Sequence, residues 1–334
     1  MMRNKGLLLG DDPELFRKVW NDELLNRLAG QVDFPNEIVP GSGLRSAPVR
    51  LSEIEVAFST WGMPALTPEQ LDLLPGLRAV FYAAGTTKAF AKPLLERGIL
   101  IVNAAAANAV PVAEFTLSQI LFSLKLGWNH VRQLRENPSP DGYRPLPIPG
   151  AYGSTVGIVS LGTIGRRLCD LLRPFSLRKI AYDPVISPET FSEFDAEPSG
   201  LAELFAASDV VTIHTPWLKE TEGLITGALI ASMKPCGTLI NTARGAVIRE
   251  GELIEVLSRR PDLTAVLDVT YPEPPAADSP LYRMPNVVLT PHIAGSCGRE
   301  VCRMAEMMIE EFQAWRQGSP SQHAVTLDAL ASAA

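Results

Sequence analysis

Residues 155–183, TVGIVSLGTIGRRLCDLLRPFSLRKIAYD, decide the fold of this chain. An apolar run, TVGIVS, passes through a glycine-containing turn into a segment with helical periodicity, and a second apolar run, RKIAYD, follows. Strand, turn, helix and strand in this order form the repeating unit of a parallel α/β sheet. The turn, SLGTIG at 160–165, matches the pattern G-x-G-x-x-G except that Ser160 takes the place of the first glycine. We therefore predict a βαβ unit with a modified glycine turn.

The modified turn has the features of a dinucleotide site. Gly162 allows the backbone to approach a pyrophosphate at the helix N-terminus, and Gly165 allows that helix to pack closely on the strand. Asp183 lies 18 residues beyond Gly165, close to the spacing of an acid that accepts hydrogen bonds from ribose hydroxyls. Ser160 is small enough to hold the turn if its φ angle stays negative. The alternative is a structural turn that binds no ligand.

Asp183 also bears on which dinucleotide is bound. A carboxylate at this position repels the 2′-phosphate of NADP(H), whereas it can hydrogen-bond the unmodified ribose of NAD(H). We therefore predict NAD as the cofactor, with NADH preferred over NADPH.

Short apolar runs alternate with helix-length amphipathic segments, which predicts parallel sheets with crossover helices. In the first part of the chain the predicted strands lie within 6–10, 54–58, 77–82 and 99–103. In the second part they are 155–160, 178–182, 209–214, 237–242, 264–269 and 286–290. The second set matches a doubly wound nucleotide-binding sheet. The predicted fold class is α/β with two domains, a Rossmann NAD-binding domain and a smaller flavodoxin-like parallel-sheet substrate domain.

Two long helix candidates mark the domain boundaries. One covers 111–136 with Pro111 in its first turn, and the other covers 298–317, after the second sheet is complete. The final helix can then pack back on the first domain. We predict hinges near 103 and 297, with a substrate domain built from 1–103 and 298–334 and a NAD-binding domain at 104–297.

The composition indicates a folded protein without a polyanionic partner. Hydrophobic residues make up 46% and charged residues 20% of the chain, and the formal net charge is -7 with lysine and arginine spread thinly. We expect no binding to nucleic acid or to a membrane. The N-terminal run GLLLG is too short for a signal peptide, and the four cysteines lack metal-site spacing. These features predict a cytoplasmic protein without a metal site.

Polar residues that suit one reaction lie at the carboxyl ends of three predicted strands of the second sheet. They are Arg244, Asp268, Glu273 and His292. In an open parallel sheet, ligands lie beyond the carboxyl ends of the strands, so these residues share one edge. An arginine can bind a carboxylate bidentately, and a histidine can exchange a proton with a carbonyl oxygen. Glu273, if bonded to His292, would fix its tautomer, and the set predicts reduction of a 2-oxo acid.

Each of these residues also has a structural alternative, because a single arginine or histidine is often only solvated. Their placement together beside a nucleotide-type turn favours the chemical interpretation. His214 follows another strand and either lines the cofactor site or has a structural role. We assign His130 to a helix surface and His323 to the tail.

The chain resembles the D-isomer-specific 2-hydroxyacid dehydrogenases, which include D-lactate, glyoxylate/hydroxypyruvate and D-3-phosphoglycerate dehydrogenases. The resemblance runs from about Ile54 to Gly318 and rests on four motifs in the family's order: TVGIVSLGTIG, INTARGAVIREGELIEVL, LDVTYPEPP and VVLTPHIAGS. It implies an NAD-dependent oxidoreductase that interconverts a 2-oxo acid and a D-2-hydroxy acid, with reduction of a glyoxylate- or hydroxypyruvate-like substrate expected. It also implies a homodimer formed through the helix and loop at 104–150.

The resemblance implies roles for individual residues. Arg244, Glu273 and His292 are catalytic, and Asp268 contacts the nicotinamide carboxamide. The turn residues Ser160, Gly162 and Gly165 and the acid Asp183 are predicted cofactor contacts from the sequence itself, and the resemblance adds Thr163, Ile164, Thr215, Pro216, Thr242, Ala243 and, at the nicotinamide ring, Val112. The loop YAAGT contributes Ala84, Gly85 and Thr86 to the substrate carboxylate. Trp61 either flanks the substrate side chain or packs within its own loop.

Departures from the family pattern bear on the substrate. The usual Val-Gly-x-Asp loop is here Ala84-Gly85-Thr86-Thr87, and Glu273 stands where formate dehydrogenases carry glutamine, which disfavours formate. We expect no C-terminal regulatory domain of the kind found in longer phosphoglycerate dehydrogenases. Two alternatives stay open: a non-catalytic NAD-sensing scaffold of the same fold, and a dehydrogenase of another oxyanion such as phosphite.

Overall fold

The computed structural model describes residues 3–332 of the 334-residue chain. The chain divides into two compact units. The first unit comprises the chain up to Asn108 and again from Ser296, and the second comprises Ala109–Gly295. The predicted hinges near 103 and 297 stay predictions.

The elements are numbered along the chain. The strands are β1 Asn4–Leu9, β2 Val32–Asp33, β3 Ile38–Val39, β4 Val56–Ser59, β5 Ala79–Tyr82, β6 Leu100–Asn103, β7 Thr155–Val159, β8 Arg178–Tyr182, β9 Glu197–Pro198, β10 Val210–Ile213, β11 Thr238–Asn241, β12 Thr264–Leu267 and β13 Val287–Leu289. The helices are α1 Pro13–Val19, α2 Asp22–Ala29, α3 Pro68–Leu71, α4 Ala91–Glu96, α5 Ala105–Ser123, α6 Gly127–Glu136, α7 Thr163–Leu172, α8 Pro188–Glu193, α9 Leu201–Ala207, α10 Gly227–Ala231, α11 Glu250–Arg259, α12 Val301–Arg316 and α13 Leu327–Ser332.

The sheet of the first unit is parallel, in the order β2-β1-β4-β5-β6, with the short β3 beside β1. Without β3 this is the strand order of flavodoxin-like sheets, as the sequence predicts. The residues of β4 and β5, VAFS and AVFY, are all buried, because helices cover both faces of a parallel sheet. Because β4 and β5 are parallel neighbours, the loops after them leave the sheet at the same edge.

Helix α12 packs within the first unit although it follows the second unit in sequence. The Phe312 ring lies 5.4 Å from the Phe58 ring and 5.5 Å from the Phe81 ring, centroid to centroid, in edge-on contacts. Full burial of a ring of this size contributes about 2 kcal/mol. The sequence predicts this helix at 298–317, whereas it starts at Val301 because residues 298–300 form a 3₁₀ turn.

The second unit contains a parallel sheet in the order β13-β12-β11-β10-β7-β8-β9. This is the doubly wound order of Rossmann domains, extended by one strand beyond β12. The order reverses between β7 and β10, and in such sheets a ligand binds where the loops after those two strands diverge. The glycine turn at 160–165 follows β7, so it lies at this switch point.

The predicted helix at 111–136 is wrong in its start and in its continuity. Helix α5 begins at Ala105, so Pro111 lies inside it, and a break at Leu126 separates it from α6. The alanine-rich residues before Pro111 favour helix strongly enough to extend it toward the N-terminus. Leu126 has φ 50°, a left-handed conformation that ends the helical path, and a Cβ at Gly127 would collide with the Phe122 ring.

No single helix within residues 3–332 has the length and apolar content that are needed to cross a bilayer, and α5 and α6 meet that requirement only as a pair bent by 58°.

Candidate active site

His292 and Glu273 are in direct contact at the carboxyl edge of the second unit's sheet. The distance from His292 Nδ1 to Glu273 Oε1 is 2.6 Å, and about half of each side chain is exposed. Because an ionised carboxylate only accepts hydrogen bonds, Nδ1 is the donor and Nε2 is left to face a ligand. The two residues come from the loops after β12 and β13, which are neighbouring strands.

Asp268 holds the loop that carries His292. It is 2% exposed, and its Oδ1 accepts hydrogen bonds from Thr290 Oγ1 at 2.6 Å and from the backbone N–H of Ile293 at 2.8 Å. Its Oδ2 accepts from the backbone N–H of Ala294 at 2.8 Å. The backbone N–H of His292 donates to the Asp268 carbonyl at 3.0 Å. A carboxylate has about four acceptor sites, so one remains for another donor, and the predicted contact with a carboxamide stays a prediction.

Arg244 follows β11, the next strand in the sheet. Asn241 shapes its turn, because its side chain donates to the Arg244 carbonyl at 3.0 Å and accepts from the backbone N–H of Ala243 at 3.0 Å. The guanidinium donates to the Ala243 carbonyl at 2.7 Å, and the residue is half-buried. Burial lowers the pKa of Arg244, and the negative charge of Glu273 opposes that shift. The guanidinium remains a cation at neutral pH, since its ordinary pKa lies far above that range.

Close backbone packing brings the Arg244 turn against the loop that leads to Glu273. A Cβ at Gly245 would collide with the backbone of Thr270, so only glycine allows this approach. Glu250, at the start of α11, also accepts a hydrogen bond from the backbone N–H of Tyr271 at 3.2 Å. The structure thus brings Arg244, Glu273 and His292 together on three adjacent strand ends of one unit.

The glycine turn departs from the prediction at Ser160. The expectation that Ser160 holds the turn with a negative φ angle is wrong. Its φ angle is 80°, in the left-handed region that a glycine would adopt without strain. Its hydroxyl donates to Asp183 Oδ2 at 3.1 Å, which helps to hold the residue there. A Cβ at Gly165 would collide with the Ser160 carbonyl, as expected where a helix packs tightly on its strand.

The N-terminus of α7 has the properties of an anion site. Gly162 is its N-cap and supplies no capping side chain, and a Cβ there would meet no atom within 4 Å. The first backbone N–H groups of a helix lack partners within the helix, and together with the helix dipole they attract negative charge. Thr163 is exposed and Ile164 half-buried at this end. These residues fit the pyrophosphate of a dinucleotide, with Asp183 at the end of β8 for a ribose.

The loop after β10 forms the other side of the switch point. Thr215 is 5% exposed, and its hydroxyl donates to the Val159 carbonyl at 3.4 Å, while Pro216 is half-buried. His214 is 7% exposed, its Nε2 lies 3.1 Å from Thr212 Oγ1, and burial lowers its pKa to about 3. The ring is therefore neutral at physiological pH. Its Nδ1 is buried without a hydrogen-bond partner among residues 3–332.

Thr116 was not singled out from the sequence. It is fully buried in α5, and its hydroxyl donates to the Val112 carbonyl at 2.8 Å and lies 3.3 Å from Thr242 Oγ1. It therefore links two of the predicted cofactor residues. The available signal was its position four residues after Val112, on the same helix face.

His130 also differs from its assignment to a helix surface, since its Nε2 is buried without a partner among the described residues.

The predicted substrate residues lie in the first unit, at the carboxyl ends of β4 and β5. Ala84 is buried and donates its backbone N–H to Tyr82, while Gly85 is half-buried and Thr86 exposed. A Cβ at Gly85 would meet no atom within 4 Å, so the backbone is open on that side. Trp61 is half-buried and packs against the apolar cores on both faces of the sheet. Its role toward a substrate stays a prediction.

A dinucleotide-type turn, a half-buried arginine and a histidine bonded to a glutamate on one doubly wound sheet define a dehydrogenase-type domain. The family model for the NAD-binding domain of D-isomer specific 2-hydroxyacid dehydrogenases matches residues 121–294. The chain belongs to the D-isomer specific 2-hydroxyacid dehydrogenase family, as the sequence motifs indicate.

Individual relatives agree with this assignment. A D-3-phosphoglycerate dehydrogenase of Archaeoglobus fulgidus is 31% identical over 70% of this chain, but the match spans only 44% of that protein. A glyoxylate reductase of Korarchaeum cryptofilum is 31% identical over 75% of this chain and 76% of its own length. A D-isomer specific 2-hydroxyacid dehydrogenase of Lactobacillus delbrueckii ssp. bulgaricus, solved with NAD, has a TM-score of 0.78 at 20% identity, covering 97% of this chain and 100% of its own. That last similarity shows the fold.

Proposed function

We propose that the protein is an NAD-dependent oxidoreductase that interconverts a 2-oxo acid and a D-2-hydroxy acid. We propose reduction as its direction, with small acids of the glyoxylate or hydroxypyruvate type as substrates. The observation that carries the proposal is the 2.6 Å contact between His292 Nδ1 and Glu273 Oε1, with the Arg244 turn packed against the same loop. The same proposal assigns Ala84, Gly85, Thr86 and Trp61 to substrate binding.

Arg244 binds the substrate carboxylate in this proposal. Its planar guanidinium offers paired donors that match a carboxylate, and its burial strengthens the interaction because water competes less. The positive charge also polarises the neighbouring carbonyl group. NADH, when bound, supplies the hydride that the carbonyl carbon accepts.

His292 supplies the proton. Its Nε2–H donates to the carbonyl oxygen as that oxygen gains negative charge, and in the reverse direction neutral Nε2 takes the proton of the hydroxyl. Glu273 keeps Nδ1 as a donor and stabilises the protonated ring. The reaction then balances, with one hydride on carbon and one proton on oxygen.

Two finer proposals concern the cofactor and the assembly. We propose that NADH is preferred over NADPH, because the Asp183 carboxylate lies at the end of β8. We also propose a homodimer formed through 104–150, where Phe122, Tyr143 and Ile148 are 41%, 79% and 41% exposed. A sedimentation experiment that shows only monomer at micromolar concentration contradicts the dimer.

The reaction is tested by following NADH oxidation with glyoxylate, hydroxypyruvate, pyruvate and phenylpyruvate. We expect turnover with at least one acid, and a loss of kcat of at least about a hundredfold in His292→Gln, because glutamine cannot exchange the proton. NADH binding to His292→Gln, measured by fluorescence titration, should be unchanged and shows that the variant is folded.

The outcomes separate the proposal from its alternatives. Binding of NADH without turnover of any acid contradicts the proposed reaction and favours a sensing scaffold. Turnover of phosphite with NAD, without turnover of any 2-oxo acid, assigns Arg244 to another oxyanion.

A further inference from the structure

Ser160 has a backbone conformation that L-amino acids rarely adopt. Its φ angle is 80°, in the region where the first glycine of such a turn would be unstrained. A side chain persists in this region when surrounding contacts hold it. The contacts of Ser160 therefore indicate what the serine does.

Those contacts join the turn to the end of β8. The Ser160 backbone N–H donates to the Tyr182 carbonyl at 2.8 Å, and the Ser160 hydroxyl donates to Asp183 Oδ2 at 3.1 Å. The backbone N–H of Leu161 donates to the same Oδ2 at 2.9 Å. A glycine at 160 would keep the backbone bonds and lose the hydroxyl bond, so that bond is specific to serine.

The Asp183 carboxylate is held on both oxygens. Besides the two donors on Oδ2, the backbone N–H of Val185 donates to Oδ1 at 3.0 Å. A carboxylate has about four acceptor sites, so one remains on Oδ1. Asp183 and Ser160 are both half-buried, so part of each residue is accessible to solvent. The carboxylate is thus fixed in orientation before a ligand arrives.

We propose that Ser160 is a positioning residue that fixes the Asp183 carboxylate to accept a ribose hydroxyl and to repel a 2′-phosphate, and so sharpens the choice of NADH over NADPH. This inference rests on the proposed function, in which Asp183 faces the adenosine ribose. A carboxylate held by three donors turns away from a phosphate less easily than one held by the two backbone donors alone.

The test compares the dissociation constants of NADH and NADPH by fluorescence titration, without any 2-oxo acid, for wild type, Ser160→Ala and Ser160→Gly. We expect the ratio of the NADPH constant to the NADH constant to fall about tenfold in both variants, the size of a lost hydrogen bond to a charged group. Alanine keeps a side chain in the strained conformation and glycine relieves it. Equal effects therefore assign the change to the hydroxyl and not to the backbone.

Two controls accompany these variants. Cys236 also has a left-handed φ, 61°, and lies in the loop before β11, so Cys236→Gly relieves comparable strain away from the turn and should leave the ratio unchanged. In an Asp183→Asn background, adding Ser160→Gly should change the ratio less than twofold, because the partner of the hydroxyl has lost its charge.

A ratio that changes less than twofold in either Ser160 variant overturns the proposal. A wild-type protein that binds NADPH as tightly as NADH overturns it as well. Turnover is measured separately. If the ratio falls as expected and no 2-oxo acid is reduced, the role of Ser160 stands while the proposed reaction fails.

Discussion

Asp268 receives three hydrogen bonds from the loop that carries His292, and almost none of its side chain is exposed. A buried carboxylate is costly unless donors surround it, and here the donors come from residues 290–294. The position of His292 therefore depends on a residue that need not touch the substrate.

Asp268→Asn tests this dependence. The asparagine side chain has an NH₂ donor where the aspartate has an acceptor oxygen. Because the side chain is buried, this NH₂ group must face a backbone N–H, which is also a donor. We expect the free energy of unfolding to fall by about 2 kcal/mol and kcat to fall at least about tenfold, because His292 is no longer held. Urea titration and steady-state kinetics measure the two effects. Thr290→Val is the control. It should lower the free energy of unfolding by about 1 kcal/mol, since it removes one hydrogen bond and leaves the carboxylate in place. If the losses of unfolding free energy and of kcat are no larger in Asp268→Asn than in Thr290→Val, this account is contradicted.

At the scale of elements, the site depends on loops that follow three neighbouring strands. β11, β12 and β13 are parallel and in register, so the loops that carry Arg244, Glu273 and His292 leave the sheet side by side. Gly245 sets the distance between the first two loops, because its Cα packs directly against the Thr270 backbone.

Gly245→Ala should separate these loops. The added methyl group has no space, and overpacking of this kind costs about 1–3 kcal/mol. We expect a lower free energy of unfolding together with a fall in kcat of at least about tenfold. Gly251→Ala is the matched control, because a Cβ there meets no atom within 4 Å and the residue lies in α11. It should raise stability by up to about 1 kcal/mol and leave kcat unchanged. Equal kcat values for the two variants would rule out the proposed spacing role.

At the scale of the whole molecule, each unit has its own parallel sheet and its own apolar cores. A buried ionisable group in such a core makes folding depend on pH. His214 is such a group in the second unit, since burial lowers its pKa to about 3.

His214 should make the protein less stable in mild acid. Its ring gains a proton near pH 6.5 in the unfolded chain but only near pH 3 in the folded protein. Its contribution to stability is therefore complete above about pH 6.5 and declines as the pH falls toward 3, by at most about 1.4 kcal/mol per pH unit. Urea titrations of wild type and His214→Gln at pH 7.5 and 5.5 measure the difference.

We expect the stability of His214→Gln to fall less between these pH values than that of wild type. Thr212→Val is the control, because it removes the hydrogen-bond partner and keeps the titrating ring, so the wild-type dependence should persist. The same pH dependence in His214→Gln and wild type would show that His214 does not cause it.

Much of the fold could be predicted because the strands of a parallel sheet have a recognisable local sequence. Buried strands such as β4, β5 and β7 are short apolar runs, and the turns that follow them contain glycine and polar residues. The errors came where two local rules compete. Pro111 is typical of a first helical turn, yet the alanines before it extend α5, and Ser160 is typical of a negative φ, yet the turn requires a positive one.

The residues at the strand ends followed from sequence, as did the pairing of Glu273 with His292, whereas other contacts did not. The turn at 160–165, the acid at 183 and the arginine and histidine after β11 and β13 are readable because each belongs to one local segment. The contact of Thr116 with Thr242 joins residues 126 positions apart, and that of Ser160 with Asp183 joins residues 23 apart. Periodicity and turn chemistry describe the backbone of a segment, but a hydrogen bond needs two atoms within about 3 Å. Only the packing of distant segments decides which atoms meet at that distance.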